Sequence, residues 1–451
     1  MSVIDADSCI CTKGELELFE TKPTQTSIEE GRILQVAPTT AVSSSDVVEF
    51  AITTGSGEYL DLRESSLYIK AKIKRADDTA LAAASGDVAR VYPVNYPIAS
   101  FFKQVEVQVG GEVIGSSTTL YPYRAIMEAI LNTTDDAKKH QLRLGGYYKD
   151  QANLETTGST ITDGTATNKG AISRFKLSKY QRSFELEGAI HHEMFQQNKL
   201  LLSQVPVRIE LTKNSPSFCL MSESTTTDYK IVLEKVMFNA SVKKISPVVV
   251  GAHENRLMTA NAKYPVTRVE MRHYQPAANG TRTIEEQNLC TGTLPRRVIM
   301  GLVESGSRNG ALDKNPFNFR HFNVTSVKLT VGGKELPYGE LKLDYDNKNV
   351  ADAYMAMMRG NKLWPGQQSN GINLAEFING HSLYVFNLAP DDVGTNAFQL
   401  VKSGTVSVSI TTSVDLPTTP SLIVMFEYDS FLEIDKNRKV HWRHKGVTIE
   451  N

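Results

Sequence analysis

The chain has 451 residues, 41% of them hydrophobic and 22% charged, with a formal net charge of −1. That length exceeds a single hydrophobic core and sets an expectation of two or three domains, and the near-neutral charge gives no global attraction to nucleic acid or to a membrane surface. No stretch approaches the ~20 apolar residues of a membrane-spanning helix, and four scattered cysteines (Cys9, Cys11, Cys219, Cys290) do not make a disulfide framework, which suits synthesis in a reducing compartment.

The N-terminus, MSVIDADSCICTKGELELFE, lacks a basic start followed by an apolar core, so no secretory signal is expected there. Residues 1–50 read as an N-terminal arm and first strand region. Strand-like segments follow at 59–74, 102–109, 205–211 and 229–245, then at 296–303, 324–331, 382–388, 405–414 and 421–434. They alternate or run apolar and are short, and Gly, Pro, Asn and Ser turns separate them. This pattern predicts antiparallel sandwiches, not alternating β-α units. Helical segments are predicted at Arg124–Leu131, Asp352–Met358 and, between Pro247 and Pro265, at His253–Asn261. The stretches 154–170 and 213–228 are rich in Ser, Thr and Gly and read as long loops outside the core.

One pattern occurs twice. VEVQVGGEVI (105–114) and VKLTVGGKEL (327–336) align without a gap, Val105, Val107 and Val109 against Val327, Leu329 and Val331. Strict alternation marks a strand with one buried face. The Gly110-Gly111 and Gly332-Gly333 pairs supply the positive φ angles of a tight two-residue hairpin. In each half a helical segment and a closing pair of long strands follow, which predicts a doubled domain: a first barrel over 51–250, a linker over 251–265, a second barrel over 266–435 and a basic tail over 436–451. The fold class expected is all-β.

The search for chemistry is negative. His191-His192-Glu193 lacks the i, i+4 histidine pair of a helical metal site and reads as surface or loop residues. Cys9 and Cys11 have no further ligand pair at zinc spacing. Asp344 and Asp346 start like a calcium loop, but Lys348 and Asn349 occupy the following ligand and turn-glycine positions. No nucleophile elbow, phosphate-binding loop or dinucleotide fingerprint occurs, so no enzyme activity and no cofactor are expected. The tail carries Lys436, Arg438, Lys439, His441, Arg443, His444 and Lys445. The simpler reading is a solvated tail. The sharper one is a surface facing packaged nucleic acid or an acidic partner, since clustered cations release counterions from phosphates.

The doubled β domain, together with Leu294-Pro295-Arg296-Arg297 and Gly301, Asn315-Pro316-Phe317-Asn318-Phe319-Arg320-His321-Phe322, Tyr121-Pro122-Tyr123-Arg124 and Ile434-Asp435-Lys436-Asn437-Arg438, resembles the hexon-like major capsid proteins of Polinton/Maverick elements and adintoviruses. The resemblance runs from about residue 58 to 440. It implies two tandem eight-stranded jelly rolls with short helices in loops, a homotrimer with pseudo-sixfold outline, and an icosahedral shell. The implied partners are further copies of the chain, neighbouring capsomers, penton and minor capsid proteins, and packaged DNA without sequence preference. The implied location is the virion, after synthesis in the host cytoplasm and assembly in the nucleus. The 151–170 segment would form an outward tower, and residues 1–30 and 435–451 assembly arms. Phe101, Phe102, Phe317, Phe319 and Phe322 read as barrel core, with plugs between subunits as the other role. A carbohydrate- or receptor-binding jelly roll or a cupin-like enzyme is the alternative function, although the nine histidines are too dispersed for a cupin.

Overall fold

A computed structural model describes residue 7 and residues 13–19, 21–79, 81, 90–179, 182–225, 228–276, 280–389, 398–416 and 420–443. The first eight strands considered are β1 (Ile28–Val36), β2 (Val47–Ile52), β3 (Glu58–Arg75), β4 (Phe102–Val109), β5 (Glu112–Ile114), β6 (Phe184–Gly188), β7 (Val207–Lys213) and β8 (Tyr229–Ile245). They form two antiparallel four-stranded sheets, ordered β1-β8-β3-β6 and β2-β7-β4-β5. That order, with successive strands crossing between facing sheets, is a jelly roll.

The second set repeats it. Strands β9 (Ala262–Tyr274), β10 (Thr283–Thr293), β11 (Arg297–Glu304), β12 (Val324–Val331), β13 (Lys334–Glu335), β14 (Leu383–Asn387), β15 (Ser403–Thr412) and β16 (Pro420–Ile434) give the orders β9-β16-β11-β14 and β10-β15-β12-β13. A further strand, β17 (Val440–Arg443), folds back on the end of β16. The expected all-β double jelly roll is therefore present, strand for strand.

Alternation places the core as the sequence predicts. Val105, Val107 and Val109 of β4 and Val327, Leu329 and Val331 of β12 are buried, and the polar residues between them are half-buried. The turn glycines take φ of +58° and +86° (Gly110, Gly111) and +57° and +80° (Gly332, Gly333), the left-handed values a two-residue hairpin requires. Central strand β16 is buried along most of its length, with an unbroken apolar run over Leu422–Phe426.

Helix α1 (Tyr121–Asn132) is buried at every position except its last, and Pro122 sits in its first turn, where a missing N–H costs no hydrogen bond. Helix α2 is a single turn, Glu193–Gln196, α3 spans Pro247–Leu257 and α4 spans Ala351–Gly360. The linker helix begins at Pro247, not His253, because that proline opens the helix instead of preceding it. The second barrel's first strand begins at Ala262 and includes Pro265, tolerated because β9 lies at a sheet edge. The stretches 154–170 and 213–228 are corrected as well. They contribute Leu154, Ile161 and Ala166 singly and the run Phe218-Cys219-Leu220-Met221 to the core. One buried cluster runs through both barrels.

Candidate functional site

The most developed polar constellation lies in the seam between the barrels. Arg124 of α1 directs Nε to Glu128 Oε1 at 3.0 Å and Nη1 to Glu193 Oε2 at 3.2 Å, all three residues being buried. Glu128 Oε2 also meets His191 Nδ1 at 2.7 Å and accepts from Gln196 Nε2 at 2.6 Å. The other ring nitrogen of His191 lies 2.9 Å from the Tyr96 hydroxyl. Glu193 then crosses to the second barrel, where Oε1 accepts the Val269 N–H of β9 at 2.9 Å. Ser116 Oγ donates to the Val269 carbonyl at 3.1 Å. Both outward-facing groups of one edge residue are thereby satisfied from the first barrel.

Burial raises the Glu128 and Glu193 carboxyls, but Arg124 outweighs it, leaving Glu128 at about 2 and Glu193 below its usual range. Burial lowers the His192 imidazole. Its Nδ1 accepts the Met194 N–H at 3.3 Å and its Nε2 donates to the Ile114 carbonyl at 2.9 Å, a pattern that fits the neutral ring. His191-His192-Glu193 is thus no surface loop. It is the centre of the seam, and its groups are committed to Arg124, Glu128 and backbone. Among the described residues no cluster of His, Cys, Asp or Glu is arranged to hold a metal.

A second tie joins the barrels lower in α1. Arg297 of β11 is bidentate on Glu427, and reaches Asn361 Oδ1 at 3.0 Å and Asn132 Oδ1 of the first barrel at 2.9 Å. Tyr123 packs edge-on against Phe218, Phe317 and Phe319. Asn315 donates from Nδ2 to the Leu154 carbonyl at 3.1 Å, while its N–H reaches Glu155 at 2.6 Å. Phe101, Phe102, Phe317, Phe319 and Phe322 are all buried within one chain. The 151–170 segment is held against residues 315–318, so its Leu154–Glu155 end is a seam element, not a free tower.

The basic residues divide. Lys436 and Lys439 are exposed. Arg438 is not part of a solvated tail: it pairs with Glu254 of α3 and donates to the Ser203 carbonyl at 3.0 Å. Val440 is buried, and its side chain and the Arg438 carbonyl close over Gly110. Arg443 ends β17, and Lys445 lies outside the described residues, as do Cys9 and Cys11. Around Gly332 and Gly333, in contrast, nothing described lies within 4 Å of an added Cβ. Sequence reasoning missed Arg124, Glu128 and Glu193 as a connected set and Arg297 as a second tie. Arg124, Glu193 and Arg297 stand inside quoted strings, the signal that could have located the seam.

No family model matches the chain. An uncharacterised protein of Caenorhabditis elegans is 23% identical over 428 residues, covering 91% of this chain and 97% of that protein. Among solved structures, the chain is similar to the Sputnik virophage structure determined by cryo-EM (TM-score 0.65, 13% identity, 98% of this chain and 94% of that one). It is also similar to the PBCV-1 virus capsid (TM-score 0.56, 11% identity, 95% and 100%) and to the mavirus major capsid protein (TM-score 0.50, 10% identity, 98% and 96%). Each likeness covers 95% or more of this chain and therefore spans both barrels, and the chain has the double jelly-roll, hexon-like fold of viral major capsid proteins.

Proposed function

We propose that this chain is a major capsid protein whose activity is assembly. It forms a homotrimer of pseudo-sixfold outline, since each chain contributes two similar barrels, and the trimers tile an icosahedral shell. The observation that carries the reading is the repeated strand order in two barrels sharing one core, together with similarity to capsid structures over nearly the whole chain. The shell would belong to a Polinton/Maverick or adintovirus type of element, with penton and minor capsid proteins completing it. Synthesis in the host cytoplasm and assembly in the nucleus complete the proposal. Lys436 and Lys439 are the exposed candidates to face packaged DNA, whereas Arg438 is already paired with Glu254. The test is mass measurement and negative-stain imaging of the purified chain. Trimers of about 150 kDa, three chains of 49.9 kDa each, with hexagonal outline support the reading, and a monomer at every concentration refutes it.

A further inference from the structure

The repeat makes one barrel a template for what the other lacks. Among the features of the first barrel that touch the second are the β4–β5 hairpin and the connection from β6 to β7 that carries α2. The hairpin turn lies under Arg438 and Val440, and the connection supplies Glu193 to the edge of β9. In the second barrel, the matching features are the β12–β13 hairpin and the connection from β14 to β15. Neither is covered. The hairpin turn faces open space, and Leu336, Phe398, Leu400 and Val401 are 43%, 55%, 83% and 57% exposed. Three of these four, with Leu294 and Leu388, surround one cavity of about 380 Å³.

The surface these features need also exists twice. Strand β9 is an edge strand paired only with β16, and its outer edge at Val269 is satisfied by Ser116 and Glu193. Its counterpart β1 is an edge strand paired only with β8. Val269 faces Glu427 and Val36 faces Phe238, each partner lying seven positions before the isoleucine that ends its strand (434 − 427 and 245 − 238). Val36 therefore stands where Val269 stands. Beside it Ile33 is 59% exposed and Ile28 is 39% exposed.

We propose that the β1 edge of one copy of this chain is covered by the second barrel of a neighbouring copy, its backbone met at Val36, whose side chain faces the chain's own core, and Ile33 on the opposite face seated against the patch formed by Leu336, Phe398, Leu400 and Val401. The contact reproduces between chains the one that joins the barrels within a chain. It is head-to-tail, so each copy offers one patch and one edge, and repetition closes a ring when the rotation allows. The inference rests on the assembly reading and adds its residues.

The test uses the full chain carrying Ile33→Asp or Leu400→Asp, with Leu144→Asp, 58% exposed on the first barrel, as a control. Melting curves check that all three stay folded. The first two are expected to fall from the parent's oligomeric mass to 49.9 kDa, while the control keeps the parent's mass. Each of the first two retains one intact surface, so mixing them is expected to give a species of about 100 kDa, two chains of 49.9 kDa, which does not grow further. If both variants keep the parent's mass, or the mixture stays monomeric, this interface is wrong while the capsid reading stands. A monomeric parent overturns both.

Discussion

Replacing Arg124 by Met tests whether the seam is held by charge. Arg124 lies within 3.2 Å of two buried carboxylates, and its removal leaves Glu128 and Glu193 facing each other without their shared cation. Breaking a buried pair by removing one partner costs about 3–5 kcal/mol, because the remaining charge has lost the solvent it would have in the unfolded chain. For barrels of this size, each kcal/mol lowers Tm by roughly 2–4 °C, so a fall of roughly 6–20 °C is expected. Calorimetry at pH 7 measures it. The same measurement at pH 5 carries the sharper content. Without Arg124 the two carboxyls rise and take up protons in the folded chain, so the variant's deficit against the parent should shrink on acidification. A deficit below about 1 kcal/mol at pH 7, or one that does not change with pH, refutes the charge argument.

The parent itself should be acid-sensitive in a defined window. Glu128 titrates at about 2 in the fold against 4.5 ordinarily, so its stabilisation is complete above pH 4.5 and lost as pH falls towards 2, about 3 kcal/mol in all. His192, lowered by burial, acts in the same direction below its usual 6.5, and an acid titration of Tm in which Glu128→Gln abolishes the larger step checks the assignment. The two hairpin glycines should differ. Gly332→Ala incurs only the left-handed backbone strain of about 1–2 kcal/mol, whereas in Gly110→Ala the new Cβ also meets Val440 at 2.6 Å and the Arg438 carbonyl at 2.9 Å, and should melt clearly lower. Deleting 436–451 removes buried Val440 and the Arg438–Glu254 pair, so it should lower Tm and not behave as loss of a solvated tail. Its binding to DNA across a salt series, compared with the full chain, tests the contribution of Lys436 and Lys439, and equal weak binding refutes it.

How much of this was readable follows from where each signal resides. The strands at 102–109, 229–245 and 324–331 have the same limits in sequence and structure, because one buried face imposes a period of two. Strand β1 was expected only as part of a first strand region within 1–50, without limits, for the opposite reason. Its first six residues are all exposed, so no buried face writes a pattern into IEEGRILQV. Strand β9 was obscured by Pro265, a breaker signal that holds for central strands and not for edges. The seam was illegible as chemistry. Glu193 meets Arg124 across 69 residues and Val269 across 76 in the other direction, and no local spacing encodes contacts made by topology. Read in isolation, two histidines and a glutamate outside a helical i, i+4 pair look like loop residues.

A polar seam between two barrels that share an apolar core requires its own explanation, since apolar side chains of similar volume stabilise such positions as well or better. Apolar contacts are non-directional and tolerate a slide of one barrel over the other. Hydrogen bonds from Glu193 and Ser116 to the backbone of Val269 do not, because a one-residue shift presents the opposite face of the strand. On the proposed assembly reading an angular error between barrels is repeated at every contact, so orientation matters beyond stability. The combined variant Arg124→Met, Glu128→Gln, Glu193→Gln separates the two roles. Removing all three charges together leaves no buried ion alone and should recover most of the Tm lost in Arg124→Met. It replaces a charged acceptor of the Val269 N–H by a neutral one, weakening that bond roughly twofold. Native-like melting with particles of irregular outline in negative stain is the expected result. Uniform particles identical to the parent's would show that packing alone sets the angle between the barrels, and that the network serves stability only.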